Sequence, residues 1–356
     1  MAEPTLLQAL MIASARRALR PPRSLPSLLS RLRPVVVDGQ QLDPQVQWML
    51  TLQKVTRRPA LDSGSPERAR RLMAIDQRMV DAPPAQLHEV RELEVAGAAG
   101  PLRARLYRPT AAARGPGLLY FHGGGFVVGD LDSHDGACRV LALESGAAVL
   151  AVDYRLAPEH PFPAAADDAL AVWAWLVEHC AEVGFERDRI AVGGDSAGAT
   201  LAAVVAHLGP ERAGASPCFQ LLIYPSVDRG NGARPSRKLF AEGFVLTGGL
   251  VSWFMSHYLS DPAGLDDPRI SPIRFESFRE QPPAHVLTAG FDVLRDEGEA
   301  YAERLREAGV EVSHERAEGL FHGFMQTLGV VDEGRRALER AAARLRDGLR
   351  EAPAAS

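Results

Sequence analysis

Beyond about residue 88 the chain alternates short apolar runs with longer stretches whose apolar positions recur at helical spacing. Leu118-Leu119-Tyr120-Phe121 and Ala148-Val149-Leu150-Ala151-Val152 are unbroken apolar runs, the pattern of parallel strands covered on both faces. Strands are expected at 89–95, 103–107, 117–121, 147–152, 189–192, 219–224, 285–289 and 310–315. The first two read as a hairpin around Gly97 to Gly100, and helices fall between later strands, for example at 164–183 and 297–308. An antiparallel start followed by strand–helix alternation predicts an α/β fold, with a mostly parallel sheet of about eight strands flanked by helices.

Residues 1 to about 86 have a different texture, with helical patterning and no good strand. Pro21-Pro22 and Pro34 break up the first forty positions, and two clearer helices follow at 44–56 and 66–80. Each opens on a proline preceded by Asp43 or Ser65, a standard helix start. The chain therefore divides into an N-terminal helical segment, 1–86, and a sheet-bearing domain, 87–350. No internal repeat is present, and the only compositional bias is an Ala/Pro-rich end.

Hydrophobic residues at 46% and charged residues at 24% describe an ordinary globular protein with a substantial core. A net charge of −5 argues against a nucleic-acid partner. Arginine supplies nearly all the positive charge, only Lys54 and Lys238 being lysines, and this bias is given no functional weight. Cys138, Cys180 and Cys218 are odd in number and widely spaced, which disfavours disulfides or a zinc site and suits a reducing, cytoplasmic location. The apolar run 6–15 follows Glu3 and precedes Arg16, Arg17 and Arg20. That charge order is the reverse of a signal peptide's, and the run is too short to span a bilayer.

Gly194-Asp195-Ser196-Ala197-Gly198 fits G-x-S-x-G, a weak signal alone. Its setting strengthens it: a strand at 189–192 enters, and a small-residue helix leaves from Ala199, ended by Gly209-Pro210. A sharp strand-to-helix turn exposes the serine hydroxyl and crowds the positions two before and two after, where Gly194 and Gly198 stand. Ser196 is thus the candidate nucleophile. His122-Gly123-Gly124-Gly125 directly follows the strand ending at Phe121. Consecutive glycines let backbone amides approach a developing oxyanion, so Gly123 and Gly124, with Ala197, are the expected donors. A phosphate loop would need Gly-Lys-Ser/Thr where Phe126 and Val127 stand. His122 reads as a hydrogen-bonder that shapes the loop.

Among ten histidines, His322 follows the last expected strand between Phe321 and Gly323, where the base of such a site belongs in chain order. Asp292 follows the penultimate strand and takes the place of the acid. Asp296, four residues on, is explained as a helix cap.

With these pieces placed, the sequence resembles the hormone-sensitive lipase-like family of α/β-hydrolases. The likeness is carried by H-G-G-G, G-D-S-A-G and Asp153-Tyr154-Arg155-Leu156-Ala157-Pro158-Glu159-His160. Tyr224-Pro225, Asp267-Pro268-Arg269-Ile270-Ser271-Pro272 and His322-Gly323-Phe324 follow in order, so that it runs from about Leu42 to Gly329. The resemblance implies an α/β-hydrolase fold with a helical cap, built from the N-terminal helices and an insertion at about 230–262. It implies hydrolysis of short- to medium-chain acyl esters with no metal or organic cofactor, and often a homodimer. Where relatives often read D-P-L, this chain has Asp292-Val293-Leu294, which keeps the carboxylate.

About forty residues, 1–41, precede the usual start. They are expected to form an extra cap segment over the acyl site; the rival reading is a cationic interfacial helix within 1–33 making weak peripheral contact with anionic membrane. Phe244, Trp253 and Phe254 are candidates to line the substrate pocket. An amidase or deacetylase using the same triad stays open. A non-catalytic ligand-binding protein on this fold, like the plant gibberellin receptors that lack the catalytic histidine, is disfavoured by His322.

Overall fold

Asp43 and Ser65 start their helices as the sequence suggests. Asp43 Oδ1 accepts from the amides of Gln45 (2.7 Å) and Val46 (3.2 Å), and Ser65 Oγ from that of Arg68 (3.4 Å); such caps are worth about 1 kcal/mol each. The structure, a computed structural model, describes residues 6–229 and 234–351. Residues 1–5 of the extension, 230–233 at the start of the expected insertion and the Ala/Pro-rich end 352–356 lie outside the described residues. Four helices come first: α1 (Leu6–Leu19), α2 (Ser24–Leu32), α3 (Pro44–Val55) and α4 (Pro66–Val80). Between α2 and α3 sits a hairpin that the pattern of the first 86 residues did not announce, β1 (Val36–Val37) with β2 (Gln40–Gln41). Its turn is Asp38-Gly39, both at positive φ (54° and 74°), the geometry that suits a two-residue hairpin loop. Two-residue strands are too short to leave an alternating pattern.

The remaining strands form one sheet: β3 (Glu89–Gly97), β4 (Gly100–Arg108), β5 (Gly115–Phe121), β6 (Ala148–Val152), β7 (Phe185–Asp195), β8 (Gln220–Ile223), β9 (Ala284–Phe291) and β10 (Val312–Phe321). Their spatial order is β10-β9-β8-β7-β5-β6-β4-β3. β3 and β4 make the antiparallel hairpin, β4 runs antiparallel to β6, and every pairing among β5 to β10 is parallel. Leu118–Phe121 of β5 and Val149–Val152 of β6 are buried, as the unbroken apolar runs require, and β8 and β9 are buried along their whole length. The later helices are α5 (Asp135–Ser145), α6 (Ala164–Val183), α7 (Ala197–Ala213), α8 (Pro235–Leu239), α9 (Gly248–Tyr258), α10 (Arg295–Glu307) and α11 (Asp332–Glu351). α6 packs with α7 and α5 with α11, closing the two faces of the sheet.

Gly209-Pro210 does not end α7, contrary to its appearance in the sequence. The helix runs through Pro210 to Ala213 and closes on Gly214 in the left-handed conformation. Pro210 lies in the last turn, where it removes a single backbone bond. Gly209 is there for packing: a Cβ on it would meet the Trp173 ring at 2.9 Å.

Parallel strands bring their carboxyl ends to one edge, where α/β sheets place their sites. Helices α3 and α4 are tied to that edge. Arg70 of α4 grips both carboxylate oxygens of Glu159 at 2.7 Å and donates to the carbonyls of Val127 and Ala157. Gln77 donates to the Gln326 carbonyl at 3.1 Å, and Asp43 N to that of Gly319 at 3.0 Å. α1 and α2 lie on α3 and α4, with Trp48 Nε1 donating to Ala18 O and Arg16 Nε to Arg78 O, each at 2.9 Å.

Candidate active site

Ser196 stands between β7 and α7 with φ 53° and ψ −118°, a sparsely populated conformation for a non-glycine residue. The turn is held by Ser196 N donating to Ile223 O at 2.9 Å. The flanking glycines are demanded by contact: a Cβ on Gly198 would come within 1.9 Å of the Phe121 carbonyl oxygen, and one on Gly194 within 2.5 Å of it.

Asp292 follows β9 and His322 follows β10, so the parallel sheet delivers both to the same edge as Ser196. His322 Nε2 lies 2.9 Å from Ser196 Oγ, and His322 Nδ1 lies 2.7 Å from Asp292 Oδ2. All three side chains are buried, with Asp292 at 1% exposure. The other Asp292 oxygen accepts from Leu294 N at 2.9 Å, which fixes the carboxylate's orientation. Such a chain can move the serine proton to the imidazole while the aspartate sets the tautomer. Asp296 is elsewhere, but it does not cap its own helix: it accepts from Ser236 N at 2.7 Å and pairs with Arg295 at 2.9 Å.

The glycine loop after β5 departs from the expected donor set. Gly123 N is already engaged, donating to Asp195 Oδ1 at 2.8 Å, so it has no free hydrogen for an oxyanion. The amides of Gly124, Gly125 and Ala197 have no acceptor among the described residues. Gly124 (φ 126°) passes so close to the loop's return that a Cβ would meet Val128 O at 2.0 Å. Gly125 (φ 61°) faces the Phe254 ring, which a Cβ would strike at 2.3 Å. The free pair is therefore Gly124 and Gly125, one position further along than the expected Gly123 and Gly124.

Asp195 anchors this loop in a way the sequence did not reveal. It accepts from Tyr120 OH at 2.6 Å and Tyr224 OH at 3.3 Å, and pairs with His134 Nε2 at 3.3 Å. Burial pushes the carboxyl up and the imidazole down. Their mutual charge and hydrogen bonding outweigh it, leaving Asp195 below and His134 above its ordinary value. His122, pushed down to about 4 by burial and by the neighbouring His134 charge, is neutral. Its Nδ1–H donates to Gly123 O at 2.8 Å, and its ring stacks on Tyr154. It shapes the loop, and no contact links it to Ser196.

Beside Ser196 and His322 opens a cavity of about 170 Å³, lined by Met49, Leu61, Met73, Leu250, Val251 and Phe254 among others. Of the three aromatic candidates only Phe254 reaches it. Trp253 lies one position off the inward face of α9 and packs on Phe254 and His257. Phe244 packs against Phe240 and Phe291. The inward positions are Leu250, Val251 and Phe254, a phase set by the Thr247 cap, whose hydroxyl accepts from Leu250 N at 3.0 Å. No described side chain of α1 or α2 lines the cavity; the described part of the extension packs on α3 and α4 and does not cover the site. Among the described residues no cluster of His, Cys, Asp or Glu is placed to hold a metal, and no helix is long and apolar enough to cross a membrane.

The family model described as alpha/beta hydrolase fold matches residues 118–326. The chain is 43% identical over 310 residues to the carboxylic ester hydrolase LipN of Mycobacterium tuberculosis, covering 84% of this chain and 81% of that protein. It is 44% identical over 236 residues to an ethyl acetate hydrolase of Pseudomonas putida, covering 65% of this chain and 74% of that one. Among solved structures, an ester hydrolase from the metagenome of Lake Arreo, complexed with a bipyridine phosphonate derivative, matches with a TM-score of 0.83 and 41% identity. That match covers 86% of this chain and 98% of the other.

Proposed function

The chain belongs to the hormone-sensitive lipase-like family of α/β-hydrolases and is a carboxylic-ester hydrolase, and we propose that it works through Ser196, His322 and Asp292. The observation that carries this reading is the continuous chain Asp292–His322–Ser196, at 2.7 and 2.9 Å. Ser196 Oγ attacks the ester carbonyl carbon as its proton passes to His322 Nε2. The oxyanion is received by the amides of Gly124, Gly125 and Ala197. Collapse expels the alcohol, which takes the proton from His322, and leaves an acyl group on Ser196. Water, deprotonated by the same imidazole, then releases the acid. Preorganised amides of this kind supply about 3 kcal/mol each to such a transition state.

Short- to medium-chain acyl groups fit the cavity of about 170 Å³ best, since its walls of Leu250, Val251 and Phe254 close beside Ser196. Helices α3, α4 and α9 act as the cap that excludes water from the acyl-enzyme. The experiment is hydrolysis of p-nitrophenyl esters from acetate to palmitate by the wild type and by Ser196→Ala, His322→Gln and Asp292→Asn. Short chains should be preferred, and Ser196→Ala should lose about 10⁴-fold or more in kcat. Full activity in Ser196→Ala would remove the assignment.

The extension has a reading of its own. Leu25, Leu28 and Leu32 of α2 are 45%, 53% and 72% exposed and follow one another at helical spacing, with Arg31 and Arg33 beside them. Exposed leucines bordered by cations suit weak contact with an anionic lipid surface.

A further inference from the structure

Arg229 lies six residues beyond the end of β8, and its side chain lines the cavity shared by Ser196 and His322. It is 9% exposed, and its Nε and Nη1 are buried with no hydrogen-bond partner among the described residues. The charges of Glu297 and Asp292 favour the cation, but their hydrogen bonds go elsewhere. Glu297 accepts from Arg237 Nη2 at 2.6 Å and from the amides of Val227 and Asp228. Asp228 is gripped by Arg234 at 2.6 and 2.9 Å. Asp292 holds His322. Arg229's own N–H donates to Ser271 Oγ at 3.0 Å, which anchors its backbone at that point. Burial pulls its pKa down to about 10, which still leaves a full cation at neutral pH.

A buried guanidinium whose N–H groups lack acceptors is costly. Among the described residues Nε and Nη1 find no hydrogen-bond acceptor, while Arg229 lines the cavity that Ser196 and His322 share. Guanidinium matches carboxylate through paired N–H donors. Resting on the reading of Ser196 as nucleophile, we propose that Arg229 receives a carboxylate of the substrate, so that the preferred substrates are small esters bearing a free carboxylate. Half-esters of short dicarboxylic acids carry it on the acyl side, and acyloxy acids on the alcohol side. The same charge disfavours long alkyl chains that would have to lie against it.

The test compares matched esters by pH-stat: monoethyl succinate against ethyl butyrate for the acyl side, and 3-acetoxypropionate against propyl acetate for the alcohol side. In the wild type, kcat/KM for the anionic member of one pair should exceed that of its neutral isostere by about tenfold or more, mainly through KM. In Arg229→Met that ratio should fall below unity, and Arg229→Lys should recover part of it. Because a core substitution can disturb folding, free succinate and succinamide are also tested as inhibitors of p-nitrophenyl butyrate hydrolysis by the wild type. Competitive inhibition by succinate alone supports the assignment. Ratios below unity in both pairs of the wild type, a ratio unchanged in folded Arg229→Met, or equal inhibition by the two compounds overturns it. Turnover of neutral esters without charge preference removes only the role of Arg229, whereas no ester turnover at all removes the nucleophile assignment beneath it.

Discussion

Gly123 N donates to Asp195 Oδ1 at 2.8 Å, which joins the glycine loop to the residue immediately before Ser196, the proposed nucleophile. That bond fixes the first glycine of the loop and leaves the amides of Gly124 and Gly125, the proposed oxyanion donors, without an acceptor among the described residues. Gly124→Ala would drive a Cβ to 2.0 Å from Val128 O at a φ of 126°, and the loop must move. We predict a loss of about 10²–10³-fold in kcat with little change in KM, read in steady-state kinetics on p-nitrophenyl butyrate. Unchanged kcat would place the donors elsewhere.

Asp153, at the end of β6, gives a pH-dependent stability. Burial, with Asp130 and Asp132 adding to it and Arg103 opposing, pushes its carboxyl up to about 6. A carboxyl raised in the folded state stabilises fully below its unfolded value near 3.8, and loses that contribution as pH rises through about 6. Asp153→Asn should therefore be more stable than the wild type at neutral pH, on the order of 1–3 kcal/mol, with the gap closing toward acid. Urea unfolding at several pH values reads this directly; a constant gap would refute it.

Phe254 lines the cavity with its ring against Gly125, where we propose that the acyl group lies. Phe254→Ala should move the preferred p-nitrophenyl ester toward longer chains by about two carbons or more, with some loss on acetate. An unmoved chain-length profile would show that the acyl group lies elsewhere.

The α2 surface makes a separate prediction. Replacing Leu25, Leu28 and Leu32 together by serine should reduce co-sedimentation with phosphatidylglycerol vesicles and leave p-nitrophenyl butyrate turnover in solution intact. Wild-type protein that stays unbound at low salt would dismiss the membrane contact.

Much of this was legible in the chain. Unbroken apolar runs marked the parallel strands, Asp43-Pro44 and Ser65-Pro66 marked two helix starts, and chain order singled out Asp292 and His322. What stayed hidden depends on geometry finer than residue type. Three consecutive glycines look alike until Asp195 claims the amide of the first. Trp253 and Phe254 are equivalent until the Thr247 cap sets the phase of α9. Arg229 is one arginine in an arginine-rich chain, and what sets it apart is two buried nitrogens without a hydrogen-bond partner among the described residues at the cavity of Ser196.

The central claim is that Ser196 carries the acyl group. The most direct measurement is intact and peptide mass spectrometry after reaction with a p-nitrophenyl alkylphosphonate, which traps an activated serine as a stable ester. The account predicts one equivalent of p-nitrophenol released, one adduct per chain on the peptide containing Ser196, and none in Ser196→Ala. An adduct on another residue, or ester turnover by wild-type protein that never labels at Ser196, would contradict it.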